Sequence, residues 1–224
     1  MEGEREFEQE EFEQEQEGRE QEGGGIEQEC FFEGDSEYWE QRYMQHKIGW
    51  DLGKCSPPIK DWVDQQTDKS ISILIPGAGN AYEAAYLYEK GFRNVHIIDF
   101  AVKPLNDFKL TNPDFPVSQI HHQDFFDHCG RYDVIIEQTF FCALPPSLRV
   151  NYAKKMKELL KSNGQLVGLL FNCQFENGPP FGGDTQEYER LFNKYFRDVT
   201  IQRCENSIPP RLGNEVFIHI SKPY

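Results

Sequence analysis

The chain is predicted to fold as an α/β domain built on a mostly parallel, doubly wound sheet. From residue 71 onward, short runs rich in β-branched and aromatic residues alternate with helical segments. This order brings parallel strands together and places helices on both faces of the sheet. The first run, residues 71–75, leads directly into Pro76-Gly77-Ala78-Gly79, a glycine turn of the kind that joins the first strand of such a sheet to a helix.

The remaining elements follow in order along the chain. Strands are expected at 71–75, 95–99, 117–121, 132–137, 165–171, 199–204 and 216–220. Helices are expected at 36–46, from 57, at 81–90, near 102, at 146–161 and at 185–196. No clear helical pattern separates the last two strands, so we predict an antiparallel edge to the sheet.

Residues 1–35 form a segment of a different kind, made mainly of Glu, Gln and Gly. Residues 1–37 hold 16 acidic side chains against two basic ones. Such a segment cannot bury enough apolar surface to offset the entropy lost on ordering. We expect a disordered acidic tail over 1–35, with an acidic interaction segment as the alternative, and one folded domain over 36–224.

The expected domain is electrically balanced. Of the formal net charge of −15, residues 38–224 contribute −1, from 22 acidic and 21 basic side chains. A nucleic-acid partner needs a concentrated basic face and is not expected. No apolar run reaches the roughly 18 residues of a membrane span, and the N-terminus lacks a secretory pattern. We therefore predict a cytoplasmic protein without a membrane or nucleic-acid partner.

The six cysteines are scattered without a Cys-x-x-Cys pair, and several lie in apolar segments. This distribution favours reduced thiols over a disulfide framework. The adjacent pair His121-His122 lies in a predicted strand, where neighbouring side chains point to opposite faces. No metal site is expected.

The glycine turn and Asp99 form the first candidate ligand site. Glycines let the backbone turn tightly and approach a ligand. Asp99 ends the second strand, 22 residues after Gly77, where a carboxylate can accept hydrogen bonds from ribose hydroxyls. A plain turn and a helix N-cap are the structural alternatives. Together the two features indicate an adenosyl cofactor, without separating NAD from S-adenosylmethionine.

Two further polar segments follow predicted strands and so face the same crevice. After the third strand, Asp124 is suited to the adenine amino group, and Phe125 to packing on the adenine ring. After the fourth strand comes the pair Phe140-Phe141, for which contact with a substrate and burial in the core are equal alternatives.

Five motifs occur in a specific order along most of the chain. They are Tyr38-Trp39-Glu40 with Ile48-Gly49-Trp50-Asp51, Pro76-Gly77-Ala78-Gly79, Phe140-Phe141-Cys142-Ala143-Leu144, Gly178-Pro179-Pro180-Phe181 and Ser207-Ile208-Pro209-Pro210-Arg211. From Tyr38 to about Lys222 the chain resembles the thiopurine S-methyltransferase superfamily, especially its thiol and halide methyltransferase branch. The resemblance implies the seven-stranded, Rossmann-like sheet of class I methyltransferases with an N-terminal helical flap.

The same resemblance implies an enzyme that transfers a methyl group from S-adenosylmethionine to a small thiol or halide, leaving S-adenosylhomocysteine. An aromatic flap would close over the sulfonium, a cation that aromatic faces attract; its residues are Trp39, Tyr43 and Trp50. The resemblance also implies cofactor contacts by Gly77, Asp99, Gln123, Asp124 and Gln138. Gly79 and Phe125 join this set from the patterns above.

The methyl acceptor is expected in an apolar pocket lined by Phe140, Phe141, Phe171, Pro180 and Phe181. Arg211 would hold an anionic acceptor or, equally, be an ordinary surface arginine. Methyl transfer is an in-line displacement that depends on positioning, so no catalytic residue is assigned. Cys142 is expected to be a packed small residue. Tyr43, Glu137 and Gln138 depart from residues common in relatives, which leaves the acceptor open.

Two other functions are weighed against this one. An NAD-type Rossmann oxidoreductase is disfavoured because Tyr82 stands where the third glycine of a dinucleotide fingerprint would be. A catalytically silent interaction module would use the acidic tail as its contact. The protein is expected to be a monomer that acts on a small molecule.

Overall fold

A seven-stranded sheet organises residues 36–224, the part of the chain that the computed structural model describes. The strands are β1 Ile73–Pro76, β2 Val95–Asp99, β3 Ile120–His122, β4 Tyr132–Gln138, β5 Leu160–Phe171, β6 Phe196–Arg203 and β7 Glu215–Pro223. Their order is β3-β2-β1-β4-β5-β7-β6. Strands β1 to β5 pair in parallel, and β7 runs antiparallel to both β5 and β6. The predicted fold class and its antiparallel edge are confirmed. The predicted acidic tail lies outside the described residues.

Seven α-helices are found among the described residues. They are α1 Ser36–Met44, α2 Pro57–Asp64, α3 Tyr82–Glu89, α4 Val102–Thr111, α5 Phe140–Ala143, α6 Arg149–Leu159 and α7 Thr185–Phe192. Single 3-10 turns lie at Val117–Gln119, Phe125–Asp127, Pro146–Leu148 and Pro209–Arg211. None of the helices within 36–224 combines the length and the apolar character that a bilayer crossing requires.

The sheet separates two hydrophobic cores because successive side chains of a strand point to opposite faces. In β1, Ile73 and Ile75 join the core that contains buried residues of α2, α3 and α4. Leu74 joins the other core, which contains buried residues of α6 and α7. Helices therefore cover both faces, as a doubly wound sheet requires.

The third strand is shorter than predicted. Residues 117–119 form a 3-10 turn, which closes with a bond from the Gln119 N–H to the Pro116 carbonyl at 2.9 Å. Val117 is 69% exposed, so no neighbouring element buries the apolar side chain that made this segment look like a strand. Only Ile120–His122 pair with β2.

The predicted helix at 146–161 ends two residues early, and β5 begins immediately afterwards. Leu160 pairs with Tyr132 of β4 and is buried, so a partner distant in sequence overrides the local helical pattern. Gly164 lies inside β5, where a Cβ atom would come within 2.8 Å of the Tyr132 carbonyl oxygen.

The predicted helix at 185–196 also ends early, at Phe192. Phe196 begins β6 instead, pairs with Pro223 and is fully buried. Similarly, the first helix ends at Met44 rather than at 46. At the ends of α6 and α7 an apolar residue continues the helical pattern, but pairing with a distant strand decides its conformation. After α1, His46 has a φ of +55°, which is incompatible with a right-handed helix.

Three histidines meet beside β2, β3 and β4. His96 Nδ1 lies 3.0 Å from His121 Nε2, and the ring of His121 lies 5.0 Å from that of His128. His128 Nε2 lies 2.7 Å from the Tyr132 hydroxyl. Burial lowers the pKa of His128 to about 4, and the nearby His121, His96 and Lys155 contribute to this lowering. The folded protein therefore holds His128 neutral.

We predict that this cluster makes stability depend on pH. The folded pKa of His128 lies below the ordinary value of about 6.5, so the unfolded chain binds a proton there that the folded chain does not. The contribution of His128 to the free energy of unfolding should fall by about 2 kcal/mol as the pH drops from 6.5 towards 4.5. Urea unfolding of the wild type and His128→Asn across this window measures the difference. Equal slopes for the two proteins would contradict the prediction.

Candidate active site

The glycine turn after β1 has the conformation of a ligand cradle. Gly77 and Gly79 have φ angles of +56° and +50°, a region that glycine enters without strain. A Cβ atom on Gly77 would lie 2.2 Å from the Phe140 ring, and one on Gly79 would lie 2.3 Å from the Tyr43 hydroxyl. Aromatic side chains therefore cover the turn so closely that only glycine fits.

Asp99 ties this turn to the next loop. Its Oδ2 accepts the Gly79 N–H and its Oδ1 accepts the Ala101 N–H, both at 2.8 Å. Burial raises the pKa of the carboxyl group, while these backbone donors oppose the rise. A carboxylate offers about four lone pairs, so two acceptor positions remain for further donors such as hydroxyl groups.

The residues after β3 divide between the cleft edge and the core. The Gln123 backbone N–H donates to the Asp99 carbonyl at 3.1 Å, and its side-chain amide pairs with His128. Asp124 caps the 3-10 turn at Phe125–Asp127 by accepting the Phe126 N–H at 2.7 Å. The Phe125 ring is buried and supports Phe140 edge-on at 5.1 Å. The expected contacts of Asp124 and Phe125 with adenine stay predictions.

Gln138 ends β4 beside the glycine turn. Its side-chain oxygen Oε1 is buried and has no hydrogen-bond partner. A buried acceptor without a partner carries a free-energy penalty that a donor would relieve. Gln138 lines a cavity of about 50 Å³ together with Tyr43, Trp50, Gly77 and Gly79. The orphaned oxygen thus marks a place where a polar ligand group would fit.

The three aromatic residues named for the flap pack on one another, and two of them, Tyr43 and Trp50, line this cavity. Trp39 and Tyr43 lie on α1, and their rings meet Trp50 edge-on at 5.1 Å and 5.8 Å. Tyr43 is buried, and burial together with the charge of Asp99 raises the pKa of its hydroxyl. The hydroxyl therefore stays neutral, and the ring presents a π face suited to a cation.

Phe140 and Phe141 take different positions, although they are neighbours. Phe140 is half-buried over Gly77, at the cleft. Phe141 is buried in the core between Tyr152 and Tyr188. The burial expected as one alternative therefore holds for Phe141. Cys142 is buried as a packed small residue, as predicted.

A loop containing Pro180 and Phe181 lies against the segment after β4. The Phe181 N–H donates to the Cys142 carbonyl at 2.6 Å. Arg149, buried on α6, donates to the Gly182 carbonyl at 2.6 Å and pairs with Glu187 at 2.5 Å. Sequence reasoning missed Arg149, because it lies on a helix whose other charged residues suggest a solvent-facing stripe.

Arg211 is buried, so of its two alternatives the ordinary surface arginine is wrong. Its guanidinium donates to the Trp50 carbonyl at 2.7 Å and pairs with the buried Glu215 at 3.3 Å. It also lies 5.3 Å from the centre of the Phe171 ring. Arg211 therefore joins the flap to the apolar side of the site.

Glu137 is a second residue whose role the sequence did not reveal. It is fully buried, and it accepts the Phe141 N–H at 2.8 Å and the Tyr152 hydroxyl at 2.5 Å. Burial raises the pKa of its carboxyl group to about 7. Glu137 therefore fixes the turn that carries Phe140. This is the structural role of the carboxylate at the end of β4.

Solved structures share this architecture. One is a Burkholderia thailandensis 1,6-didemethyltoxoflavin-N1-methyltransferase, solved with 1,6-didemethyltoxoflavin and S-adenosylhomocysteine bound. It superimposes with a TM-score of 0.66 at 17% identity, over 84% of this chain and 86% of that one. A Bacteroides fragilis SAM-dependent methyltransferase with S-adenosyl-L-homocysteine gives 0.57 at 17% identity, over 74% and 77%. The fold is that of the class I S-adenosylmethionine-dependent methyltransferases.

Residues 34–216 match the family model described as Thiopurine S-methyltransferase (TPMT). The chain belongs to this family. It is 30% identical to Probable thiol methyltransferase 2 of Arabidopsis thaliana over 189 residues, which cover 82% of this chain and 84% of that protein. It is 28% identical to a thiopurine S-methyltransferase of Photobacterium profundum over 178 residues, covering 71% and 83%.

A third relative is Thiocyanate methyltransferase 1 of Arabidopsis thaliana, 27% identical over 183 residues that cover 79% of this chain and 81% of that protein. The predicted family, enzyme class, S-methyltransferase activity and cofactor S-adenosylmethionine are confirmed by these comparisons. The NAD-type oxidoreductase is thereby set aside.

We predict that Gly79→Ala weakens binding of S-adenosylhomocysteine at least about 10-fold, because the new methyl group collides with Tyr43 in a backbone conformation that disfavours alanine. Calorimetric titration measures the dissociation constant. Gly91→Ala is the matched control, since Gly91 also has a positive φ but has no other atom near its Cβ position. An equal loss of affinity in both variants would contradict a specific role for Gly79.

Proposed function

We propose that this chain methylates a small anionic sulfur nucleophile, a thiolate or thiocyanate, in a site between the aromatic flap and the carboxyl ends of β1, β2 and β4. The observation that carries the proposal is the position of the buried Arg211. Its guanidinium lies between the Trp50 carbonyl of the flap and the Phe171 ring, so a guanidinium paired with Glu215 brings N–H donors to a largely apolar wall.

The cofactor is held by the cradle at Gly77 and Gly79, by Asp99 and by Gln138. Asp99 would hold the ribose hydroxyls on the lone pairs that Gly79 and Ala101 leave free. Gln138 Oε1, which lacks a partner, would accept an N–H from the amino-acid part. When bound, S-adenosylmethionine supplies an electrophilic methyl group on a cationic sulfur.

The flap and the loops supply positioning and exclusion of water. Tyr43 and Trp50 present π faces toward the sulfonium, which they attract as a cation. Gln123 and Asp124 border the adenine end, with Phe125 as support beneath Phe140. Trp39 packs on Trp50 from the outer side. Each contact holds the reactants in line, which is the main requirement for a methyl displacement.

The acceptor lies on the other side of the methyl group, against Phe140, Phe171, Pro180 and Phe181. A guanidinium has five N–H donors, and the contacts of Arg211 with Trp50 and Glu215 leave others for an anion. A thiolate or thiocyanate arrives already nucleophilic, so this site needs no general base. Phe141 supports the pocket from the core.

Relatives and surface properties support the class of acceptor and the setting. The similar plant proteins are named for thiols and thiocyanate, and the bacterial relatives for thiopurines. Five cysteines among residues 36–224 are free thiols, in keeping with a reducing compartment. We infer a cytoplasmic monomer, which size-exclusion chromatography with light scattering tests.

A comparison of acceptors tests the proposal. With radiolabelled S-adenosylmethionine, a small thiol and thiocyanate should yield volatile or extractable labelled product, at rates at least about 10-fold above those with a neutral amine or alcohol of equal size, because the site offers a cation but no base. Asp99→Ala, which should lose cofactor binding, is the control for background transfer.

Two outcomes would contradict the proposed acceptor. Faster transfer to an amine or alcohol than to any sulfur compound would show that Arg211 does not select an anion. Binding of S-adenosylhomocysteine with no transfer to thiols, thiocyanate, iodide or a thiopurine would favour the silent interaction module.

A further inference from the structure

The first turn of α4 is capped by a residue from the flap. Glu40 Oε2 accepts the backbone N–H of Val102 at 2.6 Å and that of Lys103 at 3.0 Å. The residue before α4 is Ala101, which has no side chain able to cap the helix. The cap is therefore provided from 62 residues away in sequence, by the helix that also carries Trp39 and Tyr43.

This contact lies directly beside the loop of Asp99, the carboxylate that is proposed to hold the ribose. Asp99 Oδ1 accepts the Ala101 N–H, and Glu40 accepts the next two N–H groups along the chain. Two carboxylates thus hold three successive backbone amides. A carboxylate at a helix N-terminus also gains from the helix dipole, so the contact favours the seated position of α1.

The other end of the flap has an equivalent anchor at α3. Asp51 Oδ2 accepts the Tyr82 hydroxyl at 3.1 Å and also the Asn80 amide, while Oδ1 accepts the Gly53 N–H at 2.8 Å. Asn80 and Tyr82 closely follow the glycine turn. The flap is therefore fastened at the two loops that border the cofactor site, one at each end.

Apolar burial alone does not hold α1 in place. Tyr43 is the only buried residue of this nine-residue helix, whereas a helix held by its apolar face normally buries a stripe of side chains. Polar anchors must therefore supply much of the preference for the closed position. Charge-assisted hydrogen bonds of this kind are roughly twice as strong as neutral ones.

We propose that Glu40 and Asp51 are positioning residues that latch the flap over the cofactor, with Glu40 fastening it to the loop of Asp99. The inference rests on the proposed function, since the flap acts on the cofactor that the site is proposed to hold. Neither carboxylate touches the reacting atoms. Loss of the Glu40 latch should weaken cofactor retention while leaving the methyl transfer step intact.

The test compares Glu40→Ala and Glu40→Gln with Glu37→Ala, a control on the exposed side of the same helix. Glu40→Ala should raise the dissociation constant of S-adenosylhomocysteine, and the KM for S-adenosylmethionine, about 10-fold. Its kcat at saturating cofactor should stay within about 2-fold of the wild type, a split that marks lost ground-state binding. Glu40→Gln keeps an acceptor oxygen, so its dissociation constant and KM should fall between those of the wild type and those of Glu40→Ala.

Hydrogen exchange provides a second readout, independent of ligand. The backbone amides of Val102 and Lys103 should exchange faster in Glu40→Ala than in Glu37→Ala. Circular dichroism melting identifies a variant that fails to fold. If Glu40→Ala is such a variant, Glu40→Gln replaces it and is compared with Asp51→Asn.

The outcomes separate the two ideas. If the wild type binds no S-adenosylhomocysteine, both the proposed function and the latch are wrong. If the wild type binds and Glu40→Ala matches Glu37→Ala in dissociation constant and KM, the latch alone is overturned. If the kcat of Glu40→Ala at saturating cofactor falls as much as its cofactor affinity, Glu40 belongs to the chemical step. That result would also overturn the latch.

Discussion

The site depends on one buried carboxylate, that of Asp99, which bonds to the backbone of two separate loops. By accepting the N–H groups of Gly79 and Ala101, it sets the distance between the glycine turn after β1 and the start of α4. Burying a charge is costly unless it is paired or hydrogen-bonded, and these two donors meet that requirement. The glycine turn and the contact of Glu40 with the start of α4 take their geometry from this bridge, and so would a ribose bound in the proposed position.

Much of the fold could be predicted because it follows local patterns. Apolar runs such as the one in β2, Val95–Asp99, gave correct strand positions, and the missing helix before β7 predicted the antiparallel edge. Errors arose where a distant partner decides the conformation. Leu160 continues a helical pattern, yet its pairing with Tyr132 makes it a strand residue. No window of sequence around Leu160 contains that information.

The same division applies to the site. Gly77, Asp99 and Gln138 follow strands, and a parallel sheet brings such positions to one edge, so their meeting was predictable. The roles of Arg149, Glu215 and Glu40 were not, because each bonds to backbone atoms or side chains that the sequence does not show to be near. Arg211 shows the limit clearly: its motif was recognised, but its burial beside Glu215 appears only in three dimensions.

The close packing of Tyr43 on Gly79 also has a consequence for the rate of turnover. The cavity that Tyr43, Gly77 and Gly79 line is about 50 Å³, far below the roughly 300 Å³ at which ligand pockets begin. A nucleoside can therefore enter beside the turn only when the side chains of Tyr43 and Trp50, which line this cavity, shift outward. Where this shift is slower than methyl transfer, it sets the upper limit of the turnover rate, and that rate then depends on the viscosity of the solvent.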